Sequence, residues 1–175
     1  MLQAAYDLIA ERGLEGATMD AIAAASGVSK ATVYKHWSNK DALLLDVIRR
    51  LSEKYPEFNS GDARADLTAL LRHLAYKAKS QELAKIWPHV ISYAMSNPAF
   101  GRALQDFAFQ PRREMVQRLL EQASVSGGLR DDVDPEFAMD LLIGPIVHRR
   151  MIDEKNMPPD FPEQVVGYFW KVFAR

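Results

Sequence analysis

Hydrophobic positions recur every three to four residues along nearly the whole chain, the spacing that turns one face of a helix toward a core. Leu2, Ala5, Leu8 and Ile9 predict a first helix, and Leu43, Leu44, Val47, Ile48 and Leu51 a fourth. Leu67, Leu70, Leu71 and Leu74 mark a fifth; Leu83, Ile86, Trp87, Val90, Ile91 and Ala94 mark a sixth. Turn-forming residues cluster at 56–62, 96–98, 124–135 and 156–162. Pro98 opens a long helical segment to about Ser124 that Pro111 should kink or divide, because proline cannot donate to the carbonyl four residues back. Asp134-Pro135 opens the next helix, which Pro145, after Gly144, should interrupt midway; a last helix starts near Phe161. The best strand candidate, Val125 to Val133, holds two glycines and three charged residues and reads as a loop. The expected fold is all-α: an N-terminal three-helix helix-turn-helix head, residues 1–48, joined by helix 4 to a C-terminal helical bundle, residues 49–175.

The segment between the first and fourth helices carries the most specific signal. Thr18 is a good N-cap, Ile22 and Ala23 give one apolar face, and Gly27 stops the helix. Ser29 caps a second short helix whose Val33 and Trp37, four apart, point to the core. The opposite face is left with Lys30, Ala31, Thr32, Tyr34, Lys35 and His36. From Ala21 to Lys40 there are three lysines and no acid, in a chain whose net charge is −1. A focused basic helix in a near-neutral chain suits sequence-selective docking on DNA better than indiscriminate coating. Short helix pairs with a tight turn also occur in proteins that touch no DNA, so the turn alone leaves both readings open. By position, Lys30 is best placed for a guanine edge, with Ser29, Ala31 and Lys35 able to approach bases. Thr18, Thr32, Tyr34, His36 and Lys40 read as phosphate contacts; for Tyr34 a partly buried core ring is the alternative.

These residues resemble a known family. AERG (Ala10 to Gly13), TMDAIAAASGVSKATVYKHW from Thr18, and NKDALLLDVI (Asn39 to Ile48) look like the DNA-binding domain of TetR-family transcriptional regulators. The match covers about the first 48 residues. The family usually carries a basic arm before helix 1, whereas here the helix opens at Met1 and Leu2, so no minor-groove contact is assigned. SGGLRDDVDPEF (Ser126 to Phe137) and IGPIVHRR (Ile143 to Arg150) more weakly resemble a recurrent C-terminal domain of that family. The resemblance implies that Tyr34 and Lys40 clamp the DNA backbone and that the last two helices of each subunit form a four-helix dimer interface. It also implies a small-molecule effector held in the C-terminal bundle.

Composition narrows the remaining classes. At 175 residues and 48% hydrophobic content the chain buries far more than a helix-turn-helix unit needs. It has no cysteine, which removes disulfides and thiolate metal sites and fits a reducing cytoplasm. No apolar run reaches the ~18 to 20 residues that span a membrane. His36, His73, His89 and His148 fall on four predicted helices, none at metal-ligand spacing, and no G-x-S-x-G or phosphate-cradling glycine loop occurs. The expectation is a cytoplasmic DNA-binding regulator, not an enzyme, with no metal or cofactor. An all-helical enzyme or carrier that kept the head as scaffold, and a structural DNA-binding protein without an effector, are the competing classes.

The last helix is apolar over roughly 200° of arc, about twice the stripe that one core uses. Surplus apolar surface of this kind implies a partner, most simply a second copy across a two-fold axis. The interface is assigned to Phe137, Leu141, Pro145 and Ile152 of the preceding helix and to Val165, Val166, Phe169, Trp170 and Phe173 of the last. Trp87, Met95, Phe107, Phe109, Met115 and Leu119 offer aromatic and thioether surface for an apolar site, or are plain core. His148 belongs to that pocket or to a core or interface contact. The resulting expectation is a homodimeric repressor on a palindromic double-stranded operator, released by a small apolar or aromatic effector.

Overall fold

Caps and breakers set the helix ends. A computed structural model describes residues 1–52, 55–77, 81–151 and 157–175. Helix α1, Leu2–Gly16, is broken at Gly13, whose φ of 72° is open to glycine without strain. Thr18 and Ser29 accept hydrogen bonds from the amides of Ala21 and Thr32, which starts α2 (Met19–Ser26) and α3 (Lys30–His36). Gly27, at φ 69°, closes α2 in the left-handed region as the sequence predicts. Asn39 caps α4, Lys40–Leu51, so Lys40 is its first residue.

Next come α5 (Ala63–Lys77), α6 (Gln81–Ser96) and α7 (Pro98–Leu104). A π-helical turn over Gln105–Phe109 precedes α8, Gln110–Val125. Pro111 thus stands in the first turn of α8, and the long segment is divided as expected. Helix α9 spans Pro135–Met151 and α10 Phe161–Phe173. Pro145 does not interrupt α9, contrary to expectation. Its missing amide orphans only the carbonyl of Leu141, on a side exposed enough for Leu141 to keep 39% of its surface. Among the described residues the only β pairing is an isolated bridge between Leu129 and Ala174.

The helices sort by packing into two compact units, Met1–Tyr55 with Lys79–Phe107, and Pro56–Ala78 with Ala108–Arg175. In the first, α1 packs on α2, α4 and α6, and α6 on α7. Ile9, Ile22, Val33, Leu43, Leu44, Ile48, Ile86 and Phe100 are all but fully buried there. Residues beyond the helix-turn-helix head therefore share its core. In the second, α5 packs on α8, α9 and α10 around Leu67, Leu70, Leu71, Leu119, Leu142 and Val166. Ion pairs Arg72–Glu163 and Arg113–Glu136 join its helices on the surface.

Candidate nucleic-acid interface

The predicted face of α3 is open to solvent: Lys30, Ala31, Tyr34, Lys35 and His36 are exposed and Thr32 half-buried, while Val33 is fully buried behind them. Tyr34, 53% exposed, is not a core ring. The two caps hold this face in register: Thr18 stays exposed while it accepts from Ala21, and the Ser29 hydroxyl lies 2.8 Å from that of Thr32. Ser29 is exposed at the N-terminus of α3, where the helix dipole favours an anion. Trp37 departs from the prediction that it extends the buried stripe of α3. It caps the helix in an extended conformation, stays half-buried, and donates its indole N–H to Asp46 at 2.8 Å.

Two of the three lysines are engaged within the protein. Lys30 Nζ donates to Asp20 Oδ2 at 2.6 Å, an exposed pair that links α3 to the first turn of α2. Asp20 stands one residue outside the acid-free window, so the spacing of charges hides it. Lys40 Nζ donates to the carbonyl of Glu15 at 3.3 Å and lies 4.9 Å from the ring centroid of Tyr93. Burial lowers the Lys40 ammonium below the ordinary lysine value, against the opposing pull of Asp41 and Glu15. Tyr93, on α6, donates its hydroxyl to Asp41 at 3.0 Å. Burial first, and that hydrogen bond second, push its phenol up to about 12. Neither Tyr93 nor Asp41 is conspicuous in the sequence; the only signal is an aromatic on the inner side of helix 6.

The residues assigned to an interface divide. Phe137 and Leu141 are exposed, and Pro145, Val165, Trp170 and Phe173 half-buried. Val166 and Phe169 belong instead to the core of the second unit, 1% and 5% exposed, because α10 turns that side toward its own neighbours. Ile152 lies outside the described residues. Among the described residues of α9 and α10, the large exposed apolar positions that the assignment leaves out are Val147, Tyr168 and Val172.

The candidate pocket residues divide as well. Leu119 is fully buried core, and Trp87, Phe107, Phe109 and Met115 are half-buried. Met95 is 82% exposed and His148 exposed, so neither lines an enclosed cavity. Two open clefts on the second unit, about 460 and 400 Å³, are lined by residues of α5 and α10 with their flanks, and by none of the seven candidates. Among the described residues no three His, Cys, Asp or Glu side chains cluster to hold a metal, and no helix is long and apolar enough to cross a membrane.

Comparison with known proteins agrees with this geometry. Residues 1–47 match the family model of bacterial regulatory proteins of the tetR family, and residues 59–169 that of the tetracyclin repressor-like C-terminal domain. The uncharacterized HTH-type transcriptional regulator YdeS of Bacillus subtilis (strain 168) is 35% identical over 159 residues, 89% of this chain and 80% of that protein. The HTH-type transcriptional repressor KstR2 of Rhodococcus jostii (strain RHA1) is 29% identical over 151 residues, covering 81% and 72% of the two chains. The crystal structure of the TetR family transcription regulator SCO0332 superposes with a TM-score of 0.67 at 29% identity, over 97% of this chain and 94% of the other. A capped helix-turn-helix with an open basic face, and family matches over both parts of the sequence, identify the chain as a member of the TetR family of DNA-binding transcriptional regulators, not an enzyme.

Proposed function

We propose that the protein is a repressor that binds a palindromic operator as a homodimer through α3 and releases it when a small apolar or aromatic effector binds. The observation that carries the reading is the α3 face: donors from Ser29 to His36 stand open to solvent on a helix whose start is fixed by a side-chain cap. Base contacts fall to Lys30, Ser29, Ala31 and Lys35, and backbone contacts to Thr18, Thr32, Tyr34, His36 and Lys40. One short helix reads few base pairs; two related by a two-fold read half-sites ~34 to 36 Å apart or a multiple of it.

Support for a homodimer comes from α9 and α10. Phe137, Leu141, Gly144 and His148 follow one another at helical spacing on a single face of α9, as do Phe161, Val165, Tyr168 and Val172 on α10. Phe137, Tyr168 and Val172 are 55%, 66% and 60% exposed, and nothing lies within 4 Å of where a Cβ on Gly144 would stand. An isologous second copy is the partner that such adjacent apolar faces fit. Residues 49–175 are the portion assigned to effector binding and dimerisation. For the effector, the half-buried Phe109 and Met115 of the second unit favour a neutral, apolar molecule.

Selection of bound duplexes from a random pool tests the reading. Recovery of a palindrome, bound with a slope of log affinity against log salt of about −4, is the expected result. Recovery of no preferred sequence overturns operator recognition. An effector, once found, must lower operator affinity by the factor by which operator lowers its own.

A further inference from the structure

Lys40 reaches its place with help from outside the head. Its four-carbon stem would otherwise leave the ammonium free among many rotamers, a freedom that binding to a phosphate would have to remove. Here the amine is bracketed by the Glu15 carbonyl at 3.3 Å and the Tyr93 ring at 4.9 Å. The ring itself is fixed twice, through its hydroxyl on Asp41 at 3.0 Å and edge-on against Phe100 at a centroid distance of 5.0 Å. Asp41 is the residue after Lys40 in the first turn of α4, so both anchor and cargo stand on the same helix end. We propose that Tyr93 is a positioning residue for the DNA-contacting ammonium of Lys40, so that α6 sets the strength of the phosphate grip. The proposal rests on Lys40 as a phosphate contact.

The chemistry fits the task. A carbonyl and a ring face hold the ammonium without neutralising it, since neither carries a formal charge, and of its three N–H donors the carbonyl takes one. Asp41, the residue after Lys40, is a competing anion that acts on the ammonium, and the Tyr93 hydroxyl occupies one of its oxygens. With its pKa pushed to about 12, the phenol remains a donor to Asp41 at any pH at which DNA binding is measured.

The test compares Tyr93→Phe and Tyr93→Leu, each in the wild-type and in the Lys40→Ala background, by titration against a mixed-sequence DNA duplex over a salt series. Tyr93→Leu should weaken binding about tenfold, because each subunit forfeits its cation–ring attraction, with the salt slope unchanged because no charge is removed. Tyr93→Phe keeps the ring against Phe100 and should weaken binding about threefold through removal of the hydrogen bond to Asp41. Neither should weaken the Lys40→Ala protein further. Equal losses in both backgrounds, or no loss in the wild-type background, overturn the proposal. Tyr93→Phe decides the matter if Tyr93→Leu does not fold. If Lys40→Ala itself alters neither affinity nor slope, the phosphate reading of Lys40 has failed and the proposal falls with it; if that slope flattens and the Tyr93 effects persist without Lys40, the proposal falls alone.

Discussion

The exposed face of α3 and the exposed faces of α9 and α10 are both unfinished surfaces, in opposite chemical senses. On α3 the side chains left open are, apart from Ala31, lysines, hydroxyls, a phenol and an imidazole, all of which water satisfies. On α9 and α10 they include Phe137, Leu141, Val147, Tyr168 and Val172, which water does not. Burying apolar area is worth about 25 cal/mol per Å², whereas exposed charge gains little until a polyanion arrives and its counterions leave. The polar face therefore suits a partner whose grip depends on salt, and the apolar faces suit the lasting partner proposed for them.

The sharpest way to break the comparison is to charge the apolar side. Leu141→Glu with Val172→Glu places two carboxylates in a contact that the two-fold would repeat, at a cost of several kcal/mol. Both side chains are exposed in the single chain, so the fold should survive while the dimer does not. Sedimentation at micromolar concentration should show a folded monomer, and a persisting dimer would remove these faces from the interface. Phe169→Glu supplies the contrast. At 5% exposure it would bury an unpaired charge inside one chain and should unfold the protein instead of merely dissociating it.

That contrast also marks what can be read from the sequence. Periodicity finds the helices because burial enforces a 3.6-residue repeat, and Thr18, Gly27, Ser29 and Pro98 announce their ends through local chemistry alone. It cannot tell which apolar side of α10 faces inward, since Phe169 and Tyr168 differ by one residue and that choice is made by α5 and α9. Pro145 has the sequence chemistry of a breaker without the effect, because a helix face open to solvent tolerates one missing bond. The proposed DNA face on α3 is legible as a set of residue types. Its internal partners Asp20 and Tyr93 are not, because they lie 10 and 53 positions from the lysines they hold.

On the polar side the two engaged lysines should fail differently. Lys40→Ala should weaken all DNA sequences about equally and flatten the salt slope by roughly two per dimer, whereas Lys30→Ala should relax preference at one symmetric pair of positions by ~1 to 3 kcal/mol each. Titrations on a selected operator and on scrambled DNA separate the two. A sequence-specific loss from Lys40→Ala would exchange their roles.

A smaller effect tests Asp20. An exposed pair such as Lys30–Asp20 is worth ~0.2 to 1 kcal/mol, so Asp20→Asn should leave the fold intact and release Lys30 toward phosphates. Scrambled DNA should then bind a few-fold more tightly, with a salt slope moved from about −4 toward the roughly −5 of six lysines fully engaged. Unchanged affinity and slope would mean that Asp20 does not restrain Lys30.

The smallest effect concerns pH, and it reads the α4–α6 joint without DNA. An unfolded tyrosine ionises near 10.0 and folded Tyr93 near about 12. Below the lower value both states keep the proton and the full contribution of the joint is present; above it the unfolded chain gains by ionising, so stability is lost as pH rises toward the folded value. Thermal midpoints taken between about pH 9 and pH 11 should therefore fall more for the wild type than for Tyr93→Phe, which has no proton there to lose. Tyr6, also raised by burial, is present in both proteins and cancels from the difference. Parallel falls would mean that the Tyr93 hydroxyl is not held by Asp41 in solution, and the head would then have to keep Lys40 in place by the Glu15 carbonyl and the bare ring face.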